Sequence, residues 1–325
     1  MSESDVTVVV VPRERFSGTK KSLESIFTHT EMPYKLIYVD GKSPNILGRY
    51  LEQQSRTHDF TLIRKEHYLT PNEARNIGLE LVDTKYIVFV DNDLVVQKGW
   101  LEALVQCADD TNAWVVGPTY LVGKPEDGII HLTSGRLSTK VDESGHQRLS
   151  QKHLNCGRKL KELSGSLQRS PSGFAEFHCM LLLTSGLRQI GGCDNALLCT
   201  SEHLDVCLRI RDAGGPIFHE PKAVVTYTTA RHFLNWYDLR FFLWRWSESS
   251  TRSTLNHFRD KYNMANDDTF IDNSYSWVTS HRRIPARVLF GLVRRLFRGG
   301  VRIQLTQSLD RLLKAITPKG KAVAP

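Results

Sequence analysis

Apolar positions follow two periods along the first part of the chain, and their alternation predicts strands separated by helices. The segment Val6–Val11 (VTVVVV) is continuous and mostly β-branched, which is typical of a strand buried on both faces. Further strands are predicted at residues 35–39, 60–63, 86–90 and 113–116, and helices at 17–27, 45–54 and 100–108, with another helix opened by Thr70-Pro71-Asn72-Glu73. This order predicts an α/β fold, in which a mostly parallel mixed sheet has helices on both faces.

The next stretch breaks this pattern. Residues 124–173 are rich in Gly, Ser, Lys and Gln and contain few apolar anchors, which predicts a long insertion loop. Regular spacing returns at residues 174–184, followed by a predicted helix at 202–213 and a strand within 217–228. An aromatic block, HFLNWYDLRFFLWRW, begins at His232.

The C-terminal part predicts a basic, amphipathic helical extension. Within residues 285–298, one helical face is apolar and the opposite face is basic. The apolar face holds Leu289, Leu292, Val293, Leu296 and Phe297, and the basic face holds Arg287, Arg294, Arg295 and Arg298. Such a helix favours contact with an anionic membrane surface between Arg282 and Arg302, and the alternative is an ordinary helix packed on the domain.

The charge distribution narrows the choice of partners. From Arg282 to Lys321 the chain has eight Arg and three Lys against one acid, Asp310, whereas the whole chain carries only +8. The basic character therefore belongs to the extension, and a protein built throughout to bind nucleic acid is not expected.

The first residues, the length of the apolar runs and the cysteine spacing together predict the cellular compartment. The first residues, MSESDV, do not resemble a signal peptide, and no apolar run approaches the roughly 18 residues that span a bilayer. The six cysteines are dispersed without a C-x-x-C motif, which predicts reduced thiols. We expect a cytoplasmic protein, or one held peripherally on the cytoplasmic face of a membrane.

Two carboxylates stand at the end of a predicted buried strand. The segment YIVFVDNDLVV places Asp91 and Asp93 one residue apart, and an uncompensated buried charge costs several kcal/mol. In an extended chain both side chains face the same way, where they could bind Mg²⁺ or Mn²⁺ with substrate phosphates. The alternative is a solvated turn at the end of the strand.

Two nucleotide-binding motifs are excluded. Gly41-Lys42-Ser43 looks like the end of a phosphate loop, but Leu36 occupies the place of the required first glycine. No G-x-G-x-x-G follows the first strand, which argues against a dinucleotide-dependent oxidoreductase.

Five motifs in order resemble one family. They are A-R-N-x-G at residues 74–78, D-N-D at 91–93, G-W-L at 99–101 with V-G-P at 116–118, I-G-G-C-D at 190–194, and S-E-H-L-D-V-C-L-R at 201–209. The series resembles the family 2 glycosyltransferases of the GT-A fold, over about residues 6–227. The resemblance implies a Rossmann-like GT-A domain at 1–260, with a nucleotide-binding half at about 6–123, an acceptor half at about 174–260, and a helical extension at 261–325.

The resemblance also assigns roles on the donor side. The resemblance implies a nucleotide-diphosphate sugar as donor, and we expect it to be UDP-linked. Its predicted contacts are Pro12, Arg13, Glu14, Asp40, Arg75, Asn76 and Asp91. Asp93, with Asp91, would bind the Mg²⁺ or Mn²⁺ that holds the diphosphate.

Three residues are candidates for the catalytic base, because the sequence departs from the family pattern. The family carries "E-D" where this chain has Glu202-His203. Inverting transfer to an acceptor hydroxyl needs a base, and the resemblance leaves His203, Glu202 or Asp194 for that role. A neutral imidazole could serve at cytosolic pH.

The acceptor site has the weakest sequence signal. Trp244-Arg245-Trp246 partly matches the R-W motif of processive members, with Phe242 at the expected Gln position. These residues could stack on a glycan or lipid-linked saccharide, or they could belong to the core. The alternative function is an inactive GT-A protein that binds nucleotide sugar or glycan. A nucleotidyltransferase is disfavoured because Pro12-Arg13-Glu14-Arg15 replaces the glycine-rich loop of that class.

Overall fold

The fold is known from a computed structural model, which describes residues 4–163, 165–228 and 235–318. The strands are β1 (Val6–Val11), β2 (Lys35–Gly41), β3 (Thr61–Lys65), β4 (Tyr86–Asp91), β5 (Leu94–Val96), β6 (Val115–Val122), β7 (Ile130–Leu132), β8 (Gly135–Val141), β9 (Gln147–His153), β10 (Ser170–Pro171), β11 (Cys179–Leu183) and β12 (Ile217–Tyr227). The helices are α1 (Thr19–His29), α2 (Asn45–Thr57), α3 (Pro71–Glu80), α4 (Trp100–Thr111), α5 (Thr184–Gln189), α6 (Glu202–Asp212), α7 (Trp236–Arg245), α8 (Glu248–Lys261), α9 (Thr269–Arg282), α10 (Arg287–Leu296) and α11 (Gly299–Ile316).

One large sheet organises the molecule. Its order is β10-β12-β6-β11-β4-β1-β2-β3, with β5 on β12 and β7 on β6. The run β4-β1-β2-β3 is parallel, β12 is parallel to β6, and β11 lies antiparallel between β4 and β6. The predicted α/β fold with C-terminal helices is confirmed.

The central strands and α3 show why the sequence folds in this way. Every residue of β1 and β4 is buried, as their continuous apolar sequences predict. Thr70 and Glu73 form the expected reciprocal cap at the start of α3. A Cβ on Gly78 would lie 2.4 Å from Cγ1 of Val9, so the glycine lets α3 approach β1 closely.

The predicted insertion loop contains regular structure. Residues 124–173 form β7, β10 and the antiparallel hairpin β8–β9, with Gly135 paired to His153. The loop prediction failed because these strands are largely polar: β8 reads GRLSTKV and β9 reads QRLSQKH. Their pairing thus places polar side chains from the insertion near the ends of the main sheet.

The C-terminal helices are joined to the body of the protein. On α9, His281 Nε2 lies 2.7 Å from Glu14 Oε2, just after β1. The predicted amphipathic extension forms α10 and α11, and the division of the chain into domains stays a prediction. Residues 232–234 of the aromatic block and 319–325 of the extension lie outside the described residues. Across the described part of the chain, none of the helices has the length and hydropathy needed to cross a bilayer.

Candidate active site

A cavity of about 770 Å³ lies beyond the carboxyl ends of β1 and β4. Its wall combines residues from these strand ends, from the insertion, from the start of α6 and from α9. Carboxyl ends of parallel strands are the usual ligand-binding edge of an open α/β sheet. This cavity is therefore the candidate active site.

Asp91 stands between three basic side chains at the floor of the cavity. Its Oδ2 lies 3.3 Å from Nε of Arg13 and 3.0 Å from Nδ1 of His178, and its Oδ1 lies 3.5 Å from Nη2 of Arg75. Arg13 also stacks over the ring of Tyr227, with its Cζ 4.3 Å from the ring centroid. The predicted residues Arg13, Arg75 and Asp91 thus meet in one place and line the cavity.

Asp93 pairs with a different arginine and does not line the cavity. Its Oδ2 lies 3.3 Å from Nε of Arg15, and its side chain is fully buried outside the cavity wall. Burial raises the pKa of Asp93 to about 7, although Arg15 and Arg13 oppose the shift. The expected common face of Asp91 and Asp93 does not form, because the backbone turns at Asn92 and Asp93 before β5.

The other predicted donor contacts, Pro12, Glu14, Asp40 and Asn76, are not among the residues that line the cavity. Pro12 is buried, and Asn76 donates to the carbonyl of Cys193 at 2.8 Å, which ties α3 to the I-G-G-C-D turn. Asp40 accepts from Ser43 and from Arg64, with Arg64 Nε 2.9 Å away, and burial raises the pKa of Asp40.

Glu14 is enclosed by aromatic partners. Its carboxylate accepts from the Tyr227 hydroxyl at 2.5 Å, from Trp246 Nε1 at 3.1 Å, and lies 2.7 Å from His281. Burial disfavours its charge, but His281 and Arg13 hold the pKa of Glu14 well below its usual range. Glu14 therefore links β1 to β12, α7 and α9.

Two of the three candidate bases line the cavity. Glu202 Oε1 accepts from Arg245 Nη2 at 2.9 Å. His203 has its Nε2 buried, with no hydrogen-bond partner among the described residues, and burial lowers the pKa of His203 to about 4. Asp194 points elsewhere: its Oδ2 lies 2.9 Å from His257 and 2.6 Å from Lys261, on α8.

The cavity also contains a group that the sequence analysis missed, here called the histidine cluster: His131, His153, Glu176 and His178. Glu176 Oε2 lies 2.9 Å from Nε2 of His131 and 3.4 Å from Nε2 of His178, and its Oε1 lies 2.8 Å from Nε2 of His153. Burial disfavours the charged form of Glu176, but these histidines keep the pKa of Glu176 well below its usual range. Only the E-x-H spacing of Glu176 and His178, just before β11, was a signal in the sequence.

The three predicted acceptor residues lie in two different places. Arg245 and Trp246 line the cavity, whereas Trp244 packs with Phe16 and Phe241. All three side chains are buried. A further tryptophan, Trp277 on α9, lines the cavity with half of its surface exposed.

Comparison of the amino-acid sequence with known proteins identifies relatives of this chain. The model of the family "Glycosyl transferase family 2" matches residues 7–167, about half of the chain. The pre-mycofactocin glycosyltransferase of two Mycobacterium tuberculosis strains is 25% identical over 241 residues, which cover 72% of this chain. The matched region spans 45% of the length of those relatives.

Solved structures share the fold. A GalNAc-T7 structure with UDP, GalNAc and Mn²⁺ superposes with a TM-score of 0.52 at 16% identity, over 85% of this chain and 56% of the other. The mannosyltransferase PcManGT from Pyrobaculum calidifontis, with GDP-Man and Mn²⁺, gives 0.51 at 12% identity, over 97% and 87%. With these comparisons in agreement with its motifs and its sheet, residues 7–167 of the chain belong to glycosyl transferase family 2.

Proposed function

We propose that this protein transfers a glycosyl group from a nucleotide-diphosphate sugar, UDP-linked in our preferred case, to a hydroxyl of a glycan or lipid-linked saccharide. The observation that carries the proposal is the convergence of Arg13, Arg75 and Asp91 with Glu202 and His203 on the wall of one cavity. The relatives and structural neighbours named above, which include transferases with nucleotide or nucleotide sugar and Mn²⁺, support this choice.

The donor diphosphate is proposed to bind beside Arg13 and Arg75. Within the described chain, Arg13 Nη1 and Arg75 Nε are buried without a hydrogen-bond partner, so each retains a donor. Guanidinium groups suit diphosphate oxygens because they offer charge and several N–H groups in fixed geometry. Asp91 orients both arginines through its two oxygens.

Proton removal from the acceptor is assigned to His203, with Glu202 as the alternative. His203 lies at the family position of the base, and its lowered pKa of about 4 keeps the ring neutral near pH 7. Glu202 is held by Arg245, whose Nη2 lies 2.9 Å from Glu202 Oε1. Asp194 is the weakest candidate, because His257 and Lys261 bind its carboxylate.

A divalent ion remains part of the proposal. Bound Mn²⁺ or Mg²⁺ would stabilise the diphosphate leaving group. Asp91 offers a carboxylate within the cavity, whereas the expected ligand Asp93 pairs with Arg15 outside it. For Asp93 to reach an ion in the cavity, the ion pair with Arg15 would have to break.

Membrane contact is proposed for the C-terminal helices. On α10 and α11, Val288, Leu292, Leu296 and Val301 are exposed, beside arginines that include Arg294 and Arg295. This combination of apolar area and positive charge fits an anionic lipid surface. The protein would then act as a peripheral enzyme on the cytoplasmic face.

Nucleotide release tests the activity. The protein is incubated with Mn²⁺ and a panel of UDP-, GDP- and dTDP-sugars, with a glycan acceptor mixture, and released nucleotide is measured. We expect turnover with one donor and loss of turnover in Arg75→Met. Donor binding without turnover would favour the inactive sugar-binding alternative, and neither binding nor turnover with any donor would refute both.

A further inference from the structure

We propose that His131, Glu176 and His178 form a binding site for a divalent transition-metal ion, and that this site does not use Asp93. One imidazole nitrogen from each histidine and a carboxylate oxygen of Glu176 all lie within 4.8 Å of one another, at the cavity wall. Ligand atoms of a tetrahedral ion lie about 3.4 Å apart, so small side-chain rotations suffice to enclose one.

The tautomer of His178 supports this assignment. Its Nδ1 lies 3.0 Å from Asp91 Oδ2, and a carboxylate only accepts hydrogen bonds, so Nδ1 carries the proton. Nε2 is then the ring nitrogen available to an ion, and it lies 3.4 Å from Glu176 Oε2. A cation between these two atoms would take both of them as ligands.

Asp91 is then the positioning residue for this histidine. Histidines that bind metals usually donate their second ring nitrogen to a carboxylate or carbonyl group, which fixes the ring. The contact between Asp91 and His178 has this arrangement, with the ring also stacked on Tyr227 at a centroid distance of 4.5 Å. Asp91, the first acid of the D-N-D motif, would thus accept a hydrogen bond from the ring nitrogen of His178 that does not bind the metal.

Glu176 is held in the same manner. His153 Nε2 lies 2.8 Å from Glu176 Oε1, on the side of the carboxylate away from His131 and His178. His131 and His153 come from β7 and β9 in the insertion, whereas Glu176 and His178 precede β11 in the main sheet. The site therefore joins the insertion to the sheet.

The donor atoms indicate the kind of ion. Two imidazoles and one carboxylate suit first-row divalent ions such as Mn²⁺, Fe²⁺, Co²⁺ and Zn²⁺. Mg²⁺ prefers oxygen ligands and retained water. We expect Mn²⁺ and Zn²⁺ to bind, with Mg²⁺ a poor competitor at equal concentration.

Direct metal binding tests the site without any donor sugar. Chelator-treated, dialysed protein is titrated with MnCl₂ or ZnCl₂ by calorimetry, and the bound metal is counted by elemental analysis. We expect one ion per chain in the wild type, and affinity lower by roughly 100-fold or more in His131→Ala and Glu176→Gln. Asp93→Asn and the surface control His58→Ala should retain wild-type affinity.

Three results would overturn the proposal: no ion bound by folded wild type, unchanged affinity in His131→Ala and Glu176→Gln, or loss of binding in Asp93→Asn alone. Circular dichroism and melting temperatures show whether each variant folds. If the variants do not fold, electron-spin-echo spectra of wild-type protein with Mn²⁺ decide: imidazole nitrogen modulation is expected, and its absence refutes the site. These measurements need no turnover, so a failure of the proposed glycosyl transfer would be seen separately.

Discussion

Arg245 Nη2 donates to Oε1 of Glu202 at 2.9 Å, and both side chains are buried at the cavity wall. The same guanidinium donates from Nη1 to the carbonyl of Leu198 at 2.6 Å and from Nε to that of Arg13 at 3.2 Å. One arginine on α7 therefore connects the start of α6 with the end of β1. These contacts indicate that Arg245 stabilises the fold whether or not an acceptor is bound.

Replacement of Arg245 should destabilise the fold. Arg245→Met leaves Glu202 as an unpaired buried charge, which costs roughly 3–5 kcal/mol in the free energy of unfolding. The measurement is urea unfolding at pH 7.5. The control Arg252→Met breaks an exposed pair with Glu248 and should cost no more than about 1 kcal/mol. Equal losses in the two variants would contradict the expectation.

Removal of the proposed base should affect turnover more than donor binding. His203→Ala is expected to lower kcat by roughly 10²–10⁴-fold, the usual contribution of general base catalysis, while the donor Kd changes little. Glu202→Gln should lower kcat less if His203 is the base. Stopped assays of sugar transfer give kcat, and donor titrations give the donor Kd. A larger loss of kcat in Glu202→Gln than in His203→Ala would assign the role of base to Glu202.

The histidine also predicts a dependence of stability on pH. The pKa of His203 is about 4 in the folded protein and near 6.5 in the unfolded chain, so the unfolded state binds more protons between these values. Its contribution therefore favours folding more as pH rises from 4 to 6.5, by up to about 3 kcal/mol. Unfolding free energies of wild type and His203→Gln, measured at several pH values, should differ in slope over that window and run parallel above pH 7.

Arg75 should matter for the donor rather than for the acceptor. Arg75→Met removes a charged donor beside Asp91, and a hydrogen bond to a charged group contributes about 1.5–3 kcal/mol. The donor Kd should rise by roughly 10- to 100-fold, as measured by calorimetry with the donor that supports turnover. Arg49→Met, on the exposed side of α2, is the matched control and should leave the Kd unchanged.

The arginines of α10 should govern lipid binding. Replacement of Arg294 and Arg295 by Gln is expected to weaken co-sedimentation with vesicles containing phosphatidylserine by roughly 10-fold or more, at about 1 kcal/mol for each charge. Vesicles of phosphatidylcholine alone should bind little of either protein. The control Lys20→Gln with Lys21→Gln removes two exposed charges from α1 and should change nothing. Equal binding by all three proteins would refute this surface.

Local sequence patterns predicted the parallel half of the fold well. β1 and β4 are continuous apolar runs, and α3 carries its own start signal in Thr70-Pro71-Asn72-Glu73. The pairing of β1 with β4 then follows from the ordinary rules of parallel sheets. The family motifs likewise located Arg75 and Asp91, because each is fixed to one of these elements.

Residues whose positions depend on contacts between distant parts of the chain were not predicted from the sequence. His131 and His153 reach the cavity through the register of β7 and β9, which the three residues of β7 and the largely polar sequence of β9 do not specify. Trp277 does so through the packing of α9. The extended backbone assumed at Asp93 does not form, since the chain turns after β4, and the role of Asp93 as a metal ligand stays a prediction.

The contact between Glu14 and His281 has a consequence for synthesis of the protein. Glu14 leaves the ribosome early, but its partner follows 267 residues later in the chain. The wall contributed by α9 cannot close before that helix has been translated. A nascent chain arrested after α8 would therefore have its main sheet available but its candidate active-site cavity open to water.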